Sequence, residues 1–590
     1  MGKDAGVLPG VPALKPLRRG LILLAAAPVL GAATLLAGAG VAPGSLDDAF
    51  ITLVYSRHFA ATGGFFWNEA DGTVDGFTSL LDVLVKSLAF RLHPEDPVWV
   101  SGWLDLAFQL AVPVAAMALL LSRSRDLRRG GALAAFGAGL ALATSPSLAY
   151  ASAFHLESQL FVLLVVCAVG VAASPRPRGA PGRAVLPLVL FLLALTRPEG
   201  VPLALLLLLA ALVRADLREG RRPWAEALVF VALLAAYGAW RLWVFGDWAP
   251  NTYYAKTSTS RWNEIADGLA YLAAFARTPD GALVLTFGVV LPLLLASRAW
   301  RDGAQRSAAT LSLGCMLASV AAVIVSGGDC YPGSRLLLPA VALAILAMGV
   351  AAASYGGRGA WIPQAFLAGL LLVHVAGLLP EARARAVAAL DTQPLSEQGL
   401  DCHRQVARTL EQLAPDLVVA QTDYQIFKYL SDSSRVIDLQ GLNDRAIAHR
   451  RVAEPVRFGK FDAWNGVRAD PHVWFYGYRV AMPGCPTLGL LTTRQVLTDP
   501  AIYEACFGYG ATEELVRAIE ERFVPATLHS CNLSFNFFLR RDLVPRARQL
   551  GIRARADGAG AGDPAPAGAA GLLRRPGQAP VPQRLRPAPD

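Results

Sequence analysis

Charge is what this 590-residue chain has least of. Asp, Glu, Lys and Arg make up 17% of it, where a soluble globular chain runs nearer ~25%. With 54% hydrophobic residues and a mean hydropathy of +0.41, that scarcity excludes an ordinary soluble protein. Metal-type cysteine pairs are also missing: the seven cysteines include no CxxC, so no zinc-ribbon site is expected. No internal repeat is visible, which weighs against a transporter built from paired halves. No clear cleavage site follows the first apolar stretch, Leu21–Val41, so it reads as a retained span and not a removed leader. The net charge of +9 does not point to nucleic acid, because much of the excess falls in short loops between apolar stretches.

Those stretches are abundant. Crossing a hydrocarbon core takes roughly 20 apolar residues, and about eleven spans can be counted on that rule. Helices are expected, since a helix satisfies its own backbone groups in lipid. The fold class is therefore a polytopic α-helical membrane protein with a C-terminal extracytoplasmic mixed α/β domain. Arginines mark alternate loops: Arg123, Arg125, Arg128 and Arg129; Arg176, Arg178 and Arg183; Arg214, Arg218, Arg221 and Arg222; Arg298, Arg301 and Arg306. With KPLRR ahead of the first span, these are the cytoplasmic side. Loops 43–102, 153–158, 196–200, 245–256 and 327–335 then face outward.

The boundaries that follow are a cytoplasmic N-terminus over 1–19, a transmembrane domain over 20–380 with its first outer loop at 43–102, an outer α/β domain over 381–550, and an Ala/Gly/Pro-rich tail over 551–590 expected to be disordered. Segment 184–195 is short for a crossing and is expected to pair with 200–213 as a partly inserted hairpin. Segment 78–92 is amphipathic, with Lys86 and Arg91 interrupting its apolar face, and is expected to lie in the membrane interface. In the outer domain, 416–420, 425–431 and 435–439 read as strand, helix and strand. Asp438, Asn443 and Asp444 read as turns there, or as acceptor contacts. Cys402, Cys485, Cys506 and Cys531 suggest two disulfides in three possible connectivities, with free buried cysteine the alternative. Cys167 and Cys315 fall inside spans and Cys330 in an outer loop.

The unusual polar residues converge on the outer loops. They include the carboxylates Asp47, Asp48, Glu157 and Asp329, the cations Arg57, Arg197, Lys256 and Arg335, and the aromatics Trp67, Tyr253, Tyr254 and Tyr331. Structural polar residues would scatter over both faces. This inventory suits sugar transfer from a lipid-linked phosphate. Such a leaving group needs positive charge, which Arg supplies with paired hydrogen bonds, and the acceptor hydroxyl needs a carboxylate base. Plainer readings stand beside it. Asp47 and Asp48 could cap a helix with Ser45, Arg197 and Glu199 could pair across a turn, and Arg335 and Lys256 could anchor spans. Tyr253 and Tyr254 could be interfacial belt aromatics, and His58 and His155 read as interface histidines. A transporter or flippase would put its charges nearer the membrane midplane, and a receptor would leave the acidic pair unexplained.

The stretch SLDDAFITLVYSRHFAATGGFFWNEADGTVDGFTSLL (45–81) resembles the first outer loop of bacterial polyprenyl-phosphate-dependent glycosyltransferases of the GT-C fold, in particular the terminal arabinofuranosyltransferase family of mycobacterial-type cell walls. LTRPEG (195–200), PNTYYAK (250–256), GGDCYPGSRLLLP (327–339) and VIDLQGLNDRAIA (436–448) are similar to segments of that family, in the same order. HLESQLF (155–161) departs from the family's glycine-containing version, and Cys330 stands where a bulkier residue is usual. The resemblance covers roughly residues 20–540 and is more specific for the superfamily than for the sugar. It implies a polyprenyl-phosphate sugar donor, with decaprenyl-phosphoryl-arabinose the candidate, and an extracytoplasmic glycan acceptor. It also implies Asp47 or Asp48 as the base, Arg197, Lys256 and Arg335 on the donor phosphate, and Arg57, Glu157, Asn251, Tyr253, Tyr254 and Asp329 near substrate. No cofactor is called for. A divalent cation stays open, since two carboxylates alone do not make a cation site.

Overall fold

The structure is a computed structural model. It describes residues 14–39, 47–123, 131–152, 155–174, 180–218, 223–296, 303–329, 334–354, 369, 397–422, 424–452, 459–460, 462–475, 512–531 and 533–555. The chain divides into two compact units, one of 1–396 with 441–460 and one of 397–440 with 461–590.

The first unit is helical. Its helices are α1 (Leu14–Ala39), α2 (Ala49–Thr62), α3 (Leu80–Leu92), α4 (Pro97–Arg123), α5 (Ala132–Ala143), α6 (Pro146–Ser152), α7 (Ser158–Ala173) and α8 (Ala180–Thr196). They continue as α9 (Gly200–Arg218), α10 (Trp224–Phe245), α11 (Asn251–Ala255), α12 (Arg261–Ala276), α13 (Pro279–Ala296), α14 (Gly303–Ser326) and α15 (Leu338–Ser354). Among the described residues five helical stretches are long and apolar enough to cross a membrane: Arg19–Leu36, Pro97–Ser122, Trp224–Phe245, Arg306–Ser326 and Arg335–Ala352. The expected count of about eleven is not reached among these residues. The shorter apolar helices Ala132–Ala143, Ser158–Ala173, Arg183–Thr196 and Gly200–Val213 make up part of the difference, and the expected last span at 361–379 lies outside the described residues.

Helix α15 forms the middle of the core, where Ala340 to Leu346 are wholly buried. Helices α1 and α10 leave Leu24, Leu36, Leu228 and Val231 exposed, an apolar surface suited to lipid. Helix α3 corrects the expectation for Lys86 within 78–92. Lys86 does not interrupt an apolar outer face: Asp82, Lys86 and Ser87 are buried, while Leu88 and Leu92 are exposed. The polar side faces the protein because Lys86 finds carboxylate partners there. Pro198 disfavours helix at the residue before it, and α8 ends at Thr196. Gly200 restarts the chain as α9, where a Cβ would lie 2.1 Å from the Leu193 carbonyl oxygen, so the reversal admits no larger residue.

The second unit is a mixed sheet of six strands: β1 (Val418–Gln421), β2 (Arg435–Asp438), β3 (Val473–Phe475), β4 (Phe523–Ser530), β5 (Leu533–Arg540) and β6 (Arg553–Ala554), in the order β2-β1-β3-β5-β4-β6. Strand β1 pairs parallel to β2 and β3, and the remaining pairings are antiparallel. The expected strand, helix and strand are present as β1, the helix Gln425–Leu430 and β2. Trp474, Phe523 and Phe538 pack with Val516 and Ile519 in the core. One disulfide, Cys402–Cys531, joins the helix Glu397–Glu411 to the β4–β5 turn. It settles one of the two expected bridges, since Cys485 and Cys506 lie outside the described residues.

Segment 441–460 groups with the helical unit and so corrects the reading of Asn443 and Asp444 as turns of the α/β domain. The physical reason is a set of buried polar contacts. Asn251 donates both amide hydrogens, to the carbonyls of Gly441 (2.8 Å) and Leu442 (2.9 Å), and Tyr55 donates its hydroxyl to Asn443 Oδ1 (3.1 Å). At the far end Thr259 N–H reaches the Val452 carbonyl (2.8 Å).

Candidate active site

Asp47 and Asp48 precede α2, and both are half-buried. Asp48 occupies the N-cap position with helical backbone (φ −56°, ψ −27°), but its side chain does not cap. An N-cap that accepts a backbone N–H normally has extended backbone, so the capping reading fails for this carboxylate. Asp48 makes no side-chain hydrogen bond or ion pair among the described residues, whereas Asp47 is not without partners. Ser45 lies outside the described residues.

The break between α8 and α9 turns Arg197 inward. Its Nε and Nη2 donate to Glu199 (3.2 Å each), and its Nη1 donates to Glu157, which stands at the start of α7. The expected pair across the turn is therefore present, but it is one half of a carboxylate–guanidinium–carboxylate bridge between two distant loops. Arg335, in the single 3-10 turn before α15, donates Nε to Asp329. The charges of Asp329, Glu157 and Asp48 all act on Arg335, and those of Arg335, Lys256 and Arg197 act on Asp329. Burial alone would raise the Asp329 carboxyl. The three cations outweigh it and hold the pKa at about 2. Lys256, half-buried at the end of α11, makes no side-chain hydrogen bond or ion pair among the described residues. A cleft reaches Arg197, Glu199 and Arg335 between Phe161, Leu203, Val323 and Pro339. Five loops distant in sequence thus meet in one place: those of Asp48, Glu157, Arg197, Lys256 and Asp329–Arg335.

The other expected residues are arranged differently. Asn251 is buried, and its amide is committed to the 441–442 backbone. Tyr254 stacks on His449 with ring centroids 4.2 Å apart, while Tyr253 remains exposed and meets Tyr254 edge-on. Arg57 is half-buried on α2. Trp67 is buried against Tyr55 and offers no open face. His58 donates Nδ1–H to the Phe66 carbonyl (2.8 Å). Cys330 and Tyr331 lie outside the described residues. No group of three or more His, Cys, Asp or Glu residues that could hold a metal ion occurs among the described residues.

Sequence reasoning misses a second polar centre nearby. Asp75 of the first loop pairs with Arg241 of α10 (2.5 Å), and Arg241 also donates to the Trp248 carbonyl (3.1 Å) and the Tyr237 hydroxyl (3.1 Å). The Asp75 carbonyl accepts the Asn251 N–H (2.8 Å). Burial raises the Asp75 pKa to about 6 despite Arg241. A charged residue inside an otherwise apolar span such as α10 is the signal that could have found it.

No protein-family model matches the chain, and no curated protein matches it. Among solved structures it is similar to ArnT from Cupriavidus metallidurans bound to undecaprenyl phosphate, at 16% identity and a TM-score of 0.47, over 76% of this chain and 92% of that one. It is also similar to ArnT from the same organism in the apo state, at 14% identity and a TM-score of 0.49, over 87% and 98%.

Proposed function

We propose that the protein is a membrane glycosyltransferase of the GT-C kind, transferring a sugar from a polyprenyl-phosphate donor to an extracytoplasmic glycan. The observation that carries this reading is a carboxylate, Asp48, that makes no side-chain hydrogen bond or ion pair among the described residues and whose charge acts on Arg335, the residue that shares Asp329 with Lys256 and Arg197. Asp48 takes the proton of the acceptor hydroxyl. That oxygen's electron pair forms the new bond to the anomeric carbon, and the bond from that carbon to the phosphate oxygen breaks. The departing phosphate takes the electron pair, and the cations stabilise its charge. Lys256 makes no side-chain hydrogen bond or ion pair among the described residues, and its charge acts on Asp329 together with that of Arg335. Arg197 is already gripped by Glu157 and Glu199, so it supplies charge and a fixed wall more than new hydrogen bonds.

The arginine-marked loops support a bacterial plasma-membrane location with this site and the α/β unit on the outer side. The motif resemblance supports arabinofuranose as the sugar and cell-wall glycan as the acceptor. The step as written needs no cofactor. The test is sugar transfer by membranes containing the protein, supplied with polyprenyl-phosphate donors bearing different sugars, with linkage analysis of the product. Folded protein that transfers from none of them sinks the reading, and transfer of a sugar other than arabinofuranose corrects its finer part.

A further inference from the structure

We infer that Lys86 is a positioning residue: it fixes the turn from His155 to Glu157 and, through that turn, sets the Glu157 carboxylate against Arg197. The inference rests on the reading of Arg197 as part of the donor-phosphate site.

Lys86 is 1% exposed. It lies 3.0 Å from Asp82 Oδ2 one turn back on α3 and 3.5 Å from Asp105 Oδ2 on α4, and it donates to the His155 carbonyl at 2.8 Å. An ammonium has three donors. These three acceptors can take all of them, so Lys86 is not a further phosphate ligand. Burial works against its charge, but Asp105 and Asp82 more than offset it and keep the pKa above the usual lysine range.

What Lys86 holds is not ordinary backbone. His155 has φ +51°, a left-handed conformation that costs energy for a residue with a Cβ and persists when its surroundings enforce it. Two contacts enforce it here: the carbonyl bond from Lys86, and the ring Nδ1 at 3.3 Å from Asp105 Oδ2. Asp105 touches both Lys86 and His155, so α3, α4 and the turn are tied at one point. Two residues on, Glu157 is buried at the head of α7. Its side chain does not cap that helix but accepts from Arg197. Release the His155 carbonyl and the turn can relax, carrying Glu157 with it. Arg197 would then keep Glu199 and lose its second carboxylate.

The test is a mutant cycle. Lys86→Met alone leaves Asp82 and Asp105 buried without their ammonium, which puts folding at risk. The paired change Lys86→Met with Asp82→Leu removes both charges of the closest pair and leaves Asp105 with His155. Binding of a polyprenyl monophosphate to the full-length protein in detergent is measured for this pair, with Glu157 intact and with Glu157→Gln. The expected result is binding about tenfold weaker when Glu157 is present and no further weakening when it is Gln, because both changes act through one contact. Equal losses in both backgrounds mean that Lys86 supports the fold at large, and they overturn the inference.

If the unaltered protein does not bind polyprenyl monophosphate, the phosphate-site reading fails, and Lys86 is judged separately. Glu157→Cys is then introduced with and without the paired change, and labelling by a water-soluble maleimide is compared with the same chains lacking it. A several-fold faster reaction in the paired variant supports positioning by Lys86. An unchanged rate overturns it.

Discussion

Asp329 and Asp75 are the same residue type, both buried in loops of the helical unit and both paired with a guanidinium, yet they titrate in opposite directions. Burial raises both carboxyls. At Asp75 burial wins: Arg241 is the cation acting on it, Asp247 adds repulsion, and the pKa rises to about 6. At Asp329 three cations act, and the pKa falls to about 2. The first arrangement is a closed latch, in which one arginine serves one carboxylate, the Trp248 carbonyl and the Tyr237 hydroxyl. In the second, Arg197, Lys256 and Arg335 stand among four carboxylates, Asp48, Glu157, Glu199 and Asp329, and the charges of all three cations converge on Asp329. On the proposed reading an arriving phosphate meets these cations, near Asp48, which makes no side-chain hydrogen bond or ion pair among the described residues.

The largest expected effect separates the two regions at their carboxylates. Asp48→Asn keeps size and some hydrogen bonding but removes the base, and a lost general base costs roughly 10²–10⁴ in turnover. Asp75→Asn should leave turnover per folded molecule within a few-fold. Sugar transfer in membranes, normalised to folded protein, measures both. The comparison breaks if Asp47→Asn and Asp48→Asn both keep near-normal turnover.

Next come the guanidiniums. Arg335→Lys removes the planar fork, which an ammonium does not reproduce, and should weaken polyprenyl-phosphate binding about tenfold or more. Arg241→Ala should leave that affinity alone and instead destabilise the protein by about 3–5 kcal/mol, the usual cost of stranding one partner of a buried pair. Ligand binding and thermal unfolding in the same detergent read the two effects. An Arg241→Ala protein of normal stability with lost lipid affinity would reverse the assignments.

Much of this contrast is legible in the amino-acid sequence, and the parts that are not share a cause. Apolar length and arginine-rich loops mark the helical stretches. Residue type picks out Asp48, Arg197, Lys256, Asp329 and Arg335 as candidates, because charge next to apolar spans is costly to desolvate. Sequence does not say that Asp48 makes no side-chain bond among the described residues while Asn251 is spent on the 441–442 carbonyls, since both depend on which loops meet. Lys86 is misplaced by sequence for a related reason. The amphipathic pattern shows that a charge breaks an apolar face, but not that the broken face points inward to Asp105, nineteen places on. The placement of 441–460 leaves no mark in composition at all.

A smaller effect tests whether the latch region holds that segment. Gly76 lies where a Cβ would stand 2.0 Å from Asn443 Oδ1 and 2.6 Å from the Tyr55 hydroxyl. Gly76→Ala must push one of them aside, at about 1–3 kcal/mol, and loosen the contacts of 441–460. Arg450 and Arg451 are exposed in that segment, so trypsin should cut there faster in the variant. An unchanged cutting rate would mean the contacts of Asn251 and Thr259 hold the segment without Asn443.

The smallest effect is in the pH dependence of stability, where the two carboxyls should act in different windows with opposite sign. Asp329 has its folded pKa lowered from 3.8 to about 2. Its contribution, about 2 kcal/mol by linkage, is fully present above about pH 4 and is lost as pH falls through about 2. Asp75 has its folded pKa raised from 3.8 to about 6. Between those values the folded state holds a proton that the unfolded state has released, so stability falls as pH rises through the window and then levels off. Asp329→Asn should therefore flatten the stability profile below about pH 4 and leave the range from 4 to 6 unchanged. Asp75→Asn should do the reverse. Unfolding midpoints of the two variants and the parent, taken from pH 2 to pH 7, carry the test. If both substitutions act in the same window, cation density does not distinguish the two regions.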